Sequence, residues 1–128
     1  VLIAEDNELI LDTVASFLES RGYRMVAVRN GLELIEAAPK AGADIMLIDI
    51  QMPGMDGLEA IRRMRASESP RLKSVPIVVT TALAMAGDRD KCLAAGANAY
   101  VSKPFVLTQL EKLIRDILVA EQAKGTTA

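Results

Sequence analysis

Three carboxylates, a hydroxyl and an ammonium stand directly after short apolar runs of this chain. Glu5-Asp6 follows Val1–Ala4, Asp49 follows Ile45–Ile48, Thr81-Ala82 follows Ile77–Thr80, and Lys103-Pro104 comes shortly after Ala99–Val101. Carboxylates brought together repel one another and need a cation or a proton. Oxygen ligands without histidine or thiolate beside them favour Mg²⁺, which keeps several waters and bridges to phosphate oxygens; Mn²⁺ is the alternative. A carboxylate is also a competent nucleophile for phosphoryl transfer and gives an acyl phosphate. The transferred group spreads its charge over three equatorial oxygens, so catalysis is mainly placement and charge stabilisation. In that chemistry Mg²⁺ holds one oxygen, Lys103 a second as a point charge, and the Thr81 hydroxyl a third. Ala82 is small and leaves the approach open to a donor.

Each residue also has a plainer reading. Glu5-Asp6 could be an acid pair favoured at a helix N-terminus. Asp49 could be a turn residue ahead of Met52-Pro53-Gly54. Lys103 could be an exposed loop lysine, Tyr100 a core or rim aromatic, and Thr80 the pocket-facing hydroxyl in place of its neighbour Thr81. Asp56 reads as a helix N-cap rather than a ligand, Met52 and Met55 as loop packing, and Cys92 as a small buried residue.

Composition removes whole classes. The chain has 128 residues, of which 51% are apolar, and a net charge of −2. That suits one domain with its own core and gives no basic surface for nucleic acid. There is no histidine, so any phosphohistidine must belong to another domain or molecule. No G-x-x-x-x-G-K-[ST] run occurs, which excludes a P-loop. A single cysteine forbids an internal disulfide and fits a reducing cytoplasm. No apolar run approaches the ~20 residues of a membrane span, and no signal peptide is visible. The opening at Val1, inside a strand-like run, reads as a fragment or a processed chain.

The elements that must position these residues alternate strictly. Strands are predicted at Val1–Ala4, Met25–Val28, Ile45–Ile48, Ile77–Thr80 and Ala99–Val101, several nearly all apolar, as strands covered on both faces should be. Between them run five helical patterns. The first carries Ile10, Val14, Phe17 and Leu18, from an Asn7 cap to Gly22. The second begins with Leu32 and Ile35 and is stopped by Pro39. The third carries Leu58, Ile61 and Met64 behind an Asp56…Glu59 capping box. The fourth spans roughly Asp88 to Ala95. The fifth carries Val106, Leu110, Leu113, Ile114, Ile117 and Leu118. The domain is expected over residues 1–119, with 120–128 as a tail or linker. Five strand–helix units imply a three-layer, doubly wound (βα)5 fold with a five-stranded parallel sheet. With strand order 2-1-3-4-5, the flavodoxin-like arrangement, strands one and three flank the reversal point and the acidic side chains converge there.

Four motifs, in this order and at these spacings, resemble the receiver domain of two-component response regulators over roughly Val1 to Leu118. They are Ala4-Glu5-Asp6-Asn7, the stretch Asp49-Ile50-Gln51-Met52-Pro53-Gly54-Met55-Asp56-Gly57, Thr81-Ala82, and Tyr100-Val101-Ser102-Lys103-Pro104-Phe105. The resemblance implies Asp49 as phosphoacceptor and Glu5, Asp6, Asp49 and the Gln51 backbone carbonyl as the metal set, with Asp6 the direct ligand. It implies Lys103 as the phosphate-pairing lysine before a cis Pro104, with Thr81 and Tyr100 as switch residues. Many members have Asp where this chain has Glu5, whose longer arm can act through a water. The implied donor is a histidine kinase or histidine phosphotransfer domain. The implied output partner binds a face made of the fourth helix, fifth strand and fifth helix. Neither nucleic acid nor membrane is expected to touch this segment, which is placed in the cytoplasm. The domain is not expected to be a conventional turnover enzyme.

Two other classes are disfavoured. A haloacid-dehalogenase-type phosphatase wants an Asp two residues after its nucleophile, and position 51 is Gln. A degenerate receiver, acting only as an interaction module, loses acceptor, lysine or acid pair, and all are present here. Gln51 and Leu83 lie two residues beyond Asp49 and Thr81; Leu83 cannot orient an attacking water, so slow self-dephosphorylation is expected. Glu5-Asp6-Asn7 and the Asp88–Gly96 stretch are similar to receivers fused to hybrid sensor kinases, with a stand-alone regulator as the second choice.

Overall fold

The computed structural model describes residues 1–82 and 87–126. Five parallel strands form one sheet in the order β2-β1-β3-β4-β5, the order expected. In chain order the elements are β1 (Leu2–Ala4), α1 (Glu8–Ser20), β2 (Val26–Val28), α2 (Gly31–Ala41), β3 (Met46–Asp49), α3 (Gly57–Ala66), α4 (Pro70–Ser74), β4 (Ile77–Thr81), α5 (Asp88–Ala95), β5 (Ala99–Ser102) and α6 (Leu107–Thr126). The central strands β1, β3 and β4 are buried throughout, which is why they read as unbroken apolar runs. One face (Leu2, Ala4, Met46, Ile48, Ile77, Val79) packs under α2 to α5; the other (Ile3, Ile45, Leu47, Val78) packs under α1 and α6.

The caps follow the sequence. The Asn7 side chain accepts from the Leu9 and Ile10 amides at 3.0 and 3.2 Å. Gly22, at φ +92°, ends α1 in the left-handed turn that glycine tolerates best. Asp56 accepts from the Glu59 amide at 2.9 Å.

One local expectation is corrected. Pro39 does not stop the second helix: α2 continues to Ala41 and is ended by Gly42 at φ +58°. The missing N–H of Pro39 costs one helical bond, but Ala38 is buried beside it and Ala41 packs on the core. As expected, Leu32 and Ile35 lie at the start of α2; Ile35 packs on the core with Leu34 and Ala38, while Leu32 is 61% exposed. The last helix continues past the apolar pattern to Thr126, because Ala120, Glu121, Gln122 and Ala123 are good helix formers. The short α4, capped by Ser69 with Pro70 opening the helix, was not foreseen. Its presence makes the predicted fourth and fifth helices α5 and α6.

Arg65, at the end of α3, ties this side together. Its guanidinium donates to the Gly96 carbonyl at 3.0 and 2.9 Å, to the Leu72 carbonyl at 2.9 Å and to Asn98 Oδ1 at 3.0 Å. Asn98 Oδ1 in turn accepts from the Ile77 amide. Arg65→Met is expected to lower stability by about 2–3 kcal/mol, since it strands these acceptors in a half-buried setting. An unchanged urea midpoint would show that the network is ornamental.

Candidate functional site

At the C-terminal rim of the sheet, β1 and β3 are neighbours and the strand order reverses. Parallel pairing of Ala4 with Ile48 brings the residues just beyond Ala4 beside Asp49. Ligand-atom positions on Glu5, Asp6 and Asp49 lie within 4.8 Å of one another. Glu5 and Asp49 are 2% and 3% exposed, while Asp6 faces solvent.

Lys103 crosses the rim from the end of β5. Its ammonium, on a side chain 12% exposed, lies 2.5 Å from Glu5 Oε1 and 3.1 Å from Asp49 Oδ2. The second oxygens are held by the backbone: the Asn7 amide donates to Glu5 Oε2 and the Gln51 amide to Asp49 Oδ1, both at 3.1 Å. The Lys103–Pro104 peptide is cis. Burial pushes the Glu5 carboxyl up from an ordinary 4.5 to about 7, the Lys103 hydrogen bond opposing this and the neighbouring Asp49 reinforcing it. Burial by itself would lower the Lys103 ammonium, but bonding to Glu5 and Asp49 outweighs it and leaves that group raised. One ammonium against three carboxylates, all ionised, leaves a formal charge of −2, and the clustered negative charge calls for a cation.

The switch candidates sit further along the rim. Thr81 ends β4, is buried, and pairs with Ser102; Thr80 pairs with Asp49. By strand alternation Thr80 shares the sheet face of Asp49, whereas Thr81 follows Ile77 and Val79 on the face of Tyr100. Tyr100 packs, partly buried, against the core cluster that contains Cys92. Burial, then the nearby Asp88, raises its phenol. Ala82 is exposed beside Lys103 and lines, with Leu9, Ile10, Pro104 and Phe105, an apolar groove of about 680 Å³. Leu83 lies outside the described residues.

The plain readings also find their places. Asp56 caps α3, Met52 is buried and Met55 packs on the core, and Cys92 is a fully buried thiol. Two features had no sequence signal: the lysine bridge to Glu5, which depends on a tertiary distance, and two glycines packed on the acidic loop. The Gly that follows Asp56 was visible, but its contact with residue 49 was not.

The chain is similar to known proteins over most of its length. Residues 1–115 match the response regulator receiver domain family. The polar-differentiation response regulator DivK of Brucella anthropi is 35% identical over 118 residues, covering 92% of this chain and 94% of DivK. The receiver domain of a sensor histidine kinase from Pseudomonas aeruginosa, solved with a magnesium ion coordinated in its active-site cleft, is 36% identical. It superposes with a TM-score of 0.83 and covers 91% of this chain and 94% of that one. A CheY-like receiver domain from Methanospirillum hungatei gives a TM-score of 0.88 at 25% identity, with 96% and 95% covered.

Proposed function

Because the chain belongs to the response regulator receiver domain family, whose members are signalling modules of two-component systems, we propose that Asp49 is its phosphoacceptor. The supporting observation is the Glu5–Asp6–Asp49 cluster bridged by Lys103. The donor set is all hard oxygen and its net charge matches one divalent cation. Glu5, Asp6, Asp49 and the Gln51 carbonyl would hold Mg²⁺. Once bound, the ion supplies charge neutralisation for the carboxylates and for the phosphoryl oxygens. An Asp49 carboxylate oxygen attacks the phosphorus of a phosphohistidine on a histidine kinase or phosphotransfer protein. The P–N bond breaks, the P–O bond forms, and the imidazole leaves. Lys103 stays beside Asp49 and pairs with a phosphoryl oxygen; Thr81, which lies on the sheet face opposite Asp49, moves toward the phosphoryl group and donates to another oxygen. The apolar groove beside Ala82 and Lys103 gives the donor protein a surface to seat on.

Phosphorylation shifts a pre-existing equilibrium through Thr81 and Tyr100, which share one sheet face. A downstream partner then reads α5, β5 and α6. The setting is the cytoplasm, and among the described residues no helix is long and apolar enough to cross a membrane. For the parent we keep a hybrid sensor kinase, on Glu5-Asp6-Asn7 and the Asp88–Gly96 stretch. Flanking coding sequence tests that choice.

The direct test is intact mass after incubation with acetyl phosphate and Mg²⁺. One phosphoryl group should be gained, lost in hydroxylamine and absent when the metal is chelated. No gain, or a hydroxylamine-stable one, would falsify the reading.

The raised Glu5 carboxyl gives a pH prediction. Metal binding needs Glu5 ionised, so below its value of about 7 each bound Mg²⁺ displaces a proton. Apparent Mg²⁺ affinity is expected to rise with pH by roughly tenfold per unit below that value and to level off above it. Calorimetry in two buffers of different ionisation enthalpy reads the released proton directly. Identical heats at pH 6 would contradict it.

The position after Ala82 bears on lifetime. Leu83→Glu or Leu83→Asn is expected to shorten the aspartyl-phosphate lifetime, by supplying a group that orients water. Equal decay rates for wild type and both variants would remove the idea.

A further inference from the structure

Two glycines that carry no chemistry press on the loop that follows the acceptor. Gly57 opens α3 and is buried. Its amide donates to the Ile50 carbonyl at 2.8 Å, closing the 50–57 loop directly behind Asp49. A Cβ on Gly57 would stand 2.3 Å from the Asp49 carbonyl oxygen and 2.9 Å from Ile50 Cα. Gly31 opens α2 and is also buried. A Cβ there would stand 2.5 Å from the Met55 carbonyl oxygen and 2.7 Å from Met55 Cβ. In both cases the obstruction is backbone or Cβ, which cannot swing aside as a side-chain tip can.

Conformation does not explain these glycines. Positive φ is found at Gly22, Gly42, Gly54, Gly87 and Gly96, and at neither Gly31 nor Gly57. Both lie in first helical turns, where alanine is the better helix former. What glycine supplies at these two positions is room.

The loop has nowhere to retreat. Met52 is buried in the core beneath it. On its strand side the Ile50 amide is fixed to the Thr80 carbonyl at 3.1 Å. The Asp49 carboxylate is tethered to the same loop by the Gln51 amide. A Cβ at residue 57 therefore displaces the Asp49–Ile50 peptide, the backbone between the Asp49 side chain and the Gln51 carbonyl.

We propose that Gly57, backed by Gly31, is a positioning residue for the phosphoacceptor: the missing side chains let two helix starts close on the 50–56 loop and fix Asp49 and the Gln51 carbonyl. This rests on Asp49 being the acceptor.

The experiment compares wild type, Gly57→Ala, Gly31→Ala and a control, Leu72→Ala, which opens the core under α4 at the other end of the sheet. Mg²⁺ dissociation constants come from calorimetry and acyl-phosphate formation from intact mass, both well below the melting transition. Amide exchange at Ile50 and Gln51 is followed in metal-free protein. Gly57→Ala is expected to weaken Mg²⁺ binding by roughly tenfold or more, the usual cost of losing a group that orients a ligand. It is also expected to speed exchange at Ile50 and Gln51. Gly31→Ala should show the same pattern at smaller amplitude, and Leu72→Ala should melt lower with wild-type Mg²⁺ affinity. Wild-type affinity and exchange in Gly57→Ala overturn the proposal, whatever its melting temperature. If Gly57→Ala does not fold, Gly31→Ala decides: wild-type affinity there overturns the proposal and weakened affinity supports it. Failure of wild type itself to bind Mg²⁺ or take up phosphate condemns the acceptor reading, a different result.

Discussion

Asp49→Asn is expected to take up no phosphoryl group from acetyl phosphate and Mg²⁺, and to melt higher than wild type when metal is absent. The first result follows from chemistry: a carboxamide oxygen is a poor nucleophile, and Glu5, the other carboxylate on Lys103, has its second oxygen on the Asn7 amide instead of the Gln51 amide. The second follows from electrostatics. Glu5 and Asp49 are buried together with one ammonium between them, so above pH 7, where Glu5 is ionised, one buried negative charge is in excess. Removing it leaves a balanced Glu5–Lys103 pair and relieves like-charge repulsion. Relief of about 1 kcal/mol corresponds to a rise of roughly 3–5 °C for a domain of this size. The rise should vanish at saturating Mg²⁺, which stabilises wild type by binding the native state alone. Phosphorylation of the variant, or a lower melting temperature without metal, would each count against the assigned geometry.

Lys103→Met is expected to have the second-largest effect, on rate and on stability together. Removing one group that stabilises transferred charge typically costs 10²–10³ in rate, and phosphorylation by acetyl phosphate should slow by about that much. For stability, removal of one partner from a buried ion pair costs about 3–5 kcal/mol, because the remaining charge is buried uncompensated. That cost should depend on pH in a definite direction. Glu5 is a carboxyl raised by burial from 4.5 to about 7 in the folded chain, and Lys103, more than the Asn7 amide, holds it from rising further. An acid raised by folding contributes stability that is whole below its unfolded value and lost as pH climbs toward its folded value. Without Lys103 the folded value rises and the loss continues to higher pH. The deficit relative to wild type should therefore be small near pH 4.5 and largest above pH 7. Denaturant titrations at two pH values measure it, and a deficit independent of pH would mean that the lysine acts through packing alone.

The architecture was readable because its signals are local. Unbroken apolar runs mark β1, β3 and β4, and Asn7, Gly22, Asp56 and Gly96 punctuate helices by their own backbone chemistry. The site was readable because chemistry at the end of each strand converges once the order is 2-1-3-4-5. Pro39 misled because a local rule, the missing N–H, was outweighed by burial of Ala38 and packing of Ala41. Leu32 and Ile35 marked where α2 begins, but which face meets the core was set by packing: Leu34 and Ile35 meet it and Leu32 stays exposed.

The linear chain alone thus determined the alternation of five strands with their main helices, the covering of the sheet on both faces and which polar residues follow each strand, since each depends on residue type and short-range spacing. The folded arrangement alone decided that Glu5 is buried while Asp6 faces water, that Lys103 bridges Glu5 as well as Asp49, that Arg65 binds the Leu72 and Gly96 carbonyls, and that Gly57 presses on the Asp49 peptide. Those are relations between residues on different elements, set by how helices seat on a twisted sheet, and no local pattern encodes them.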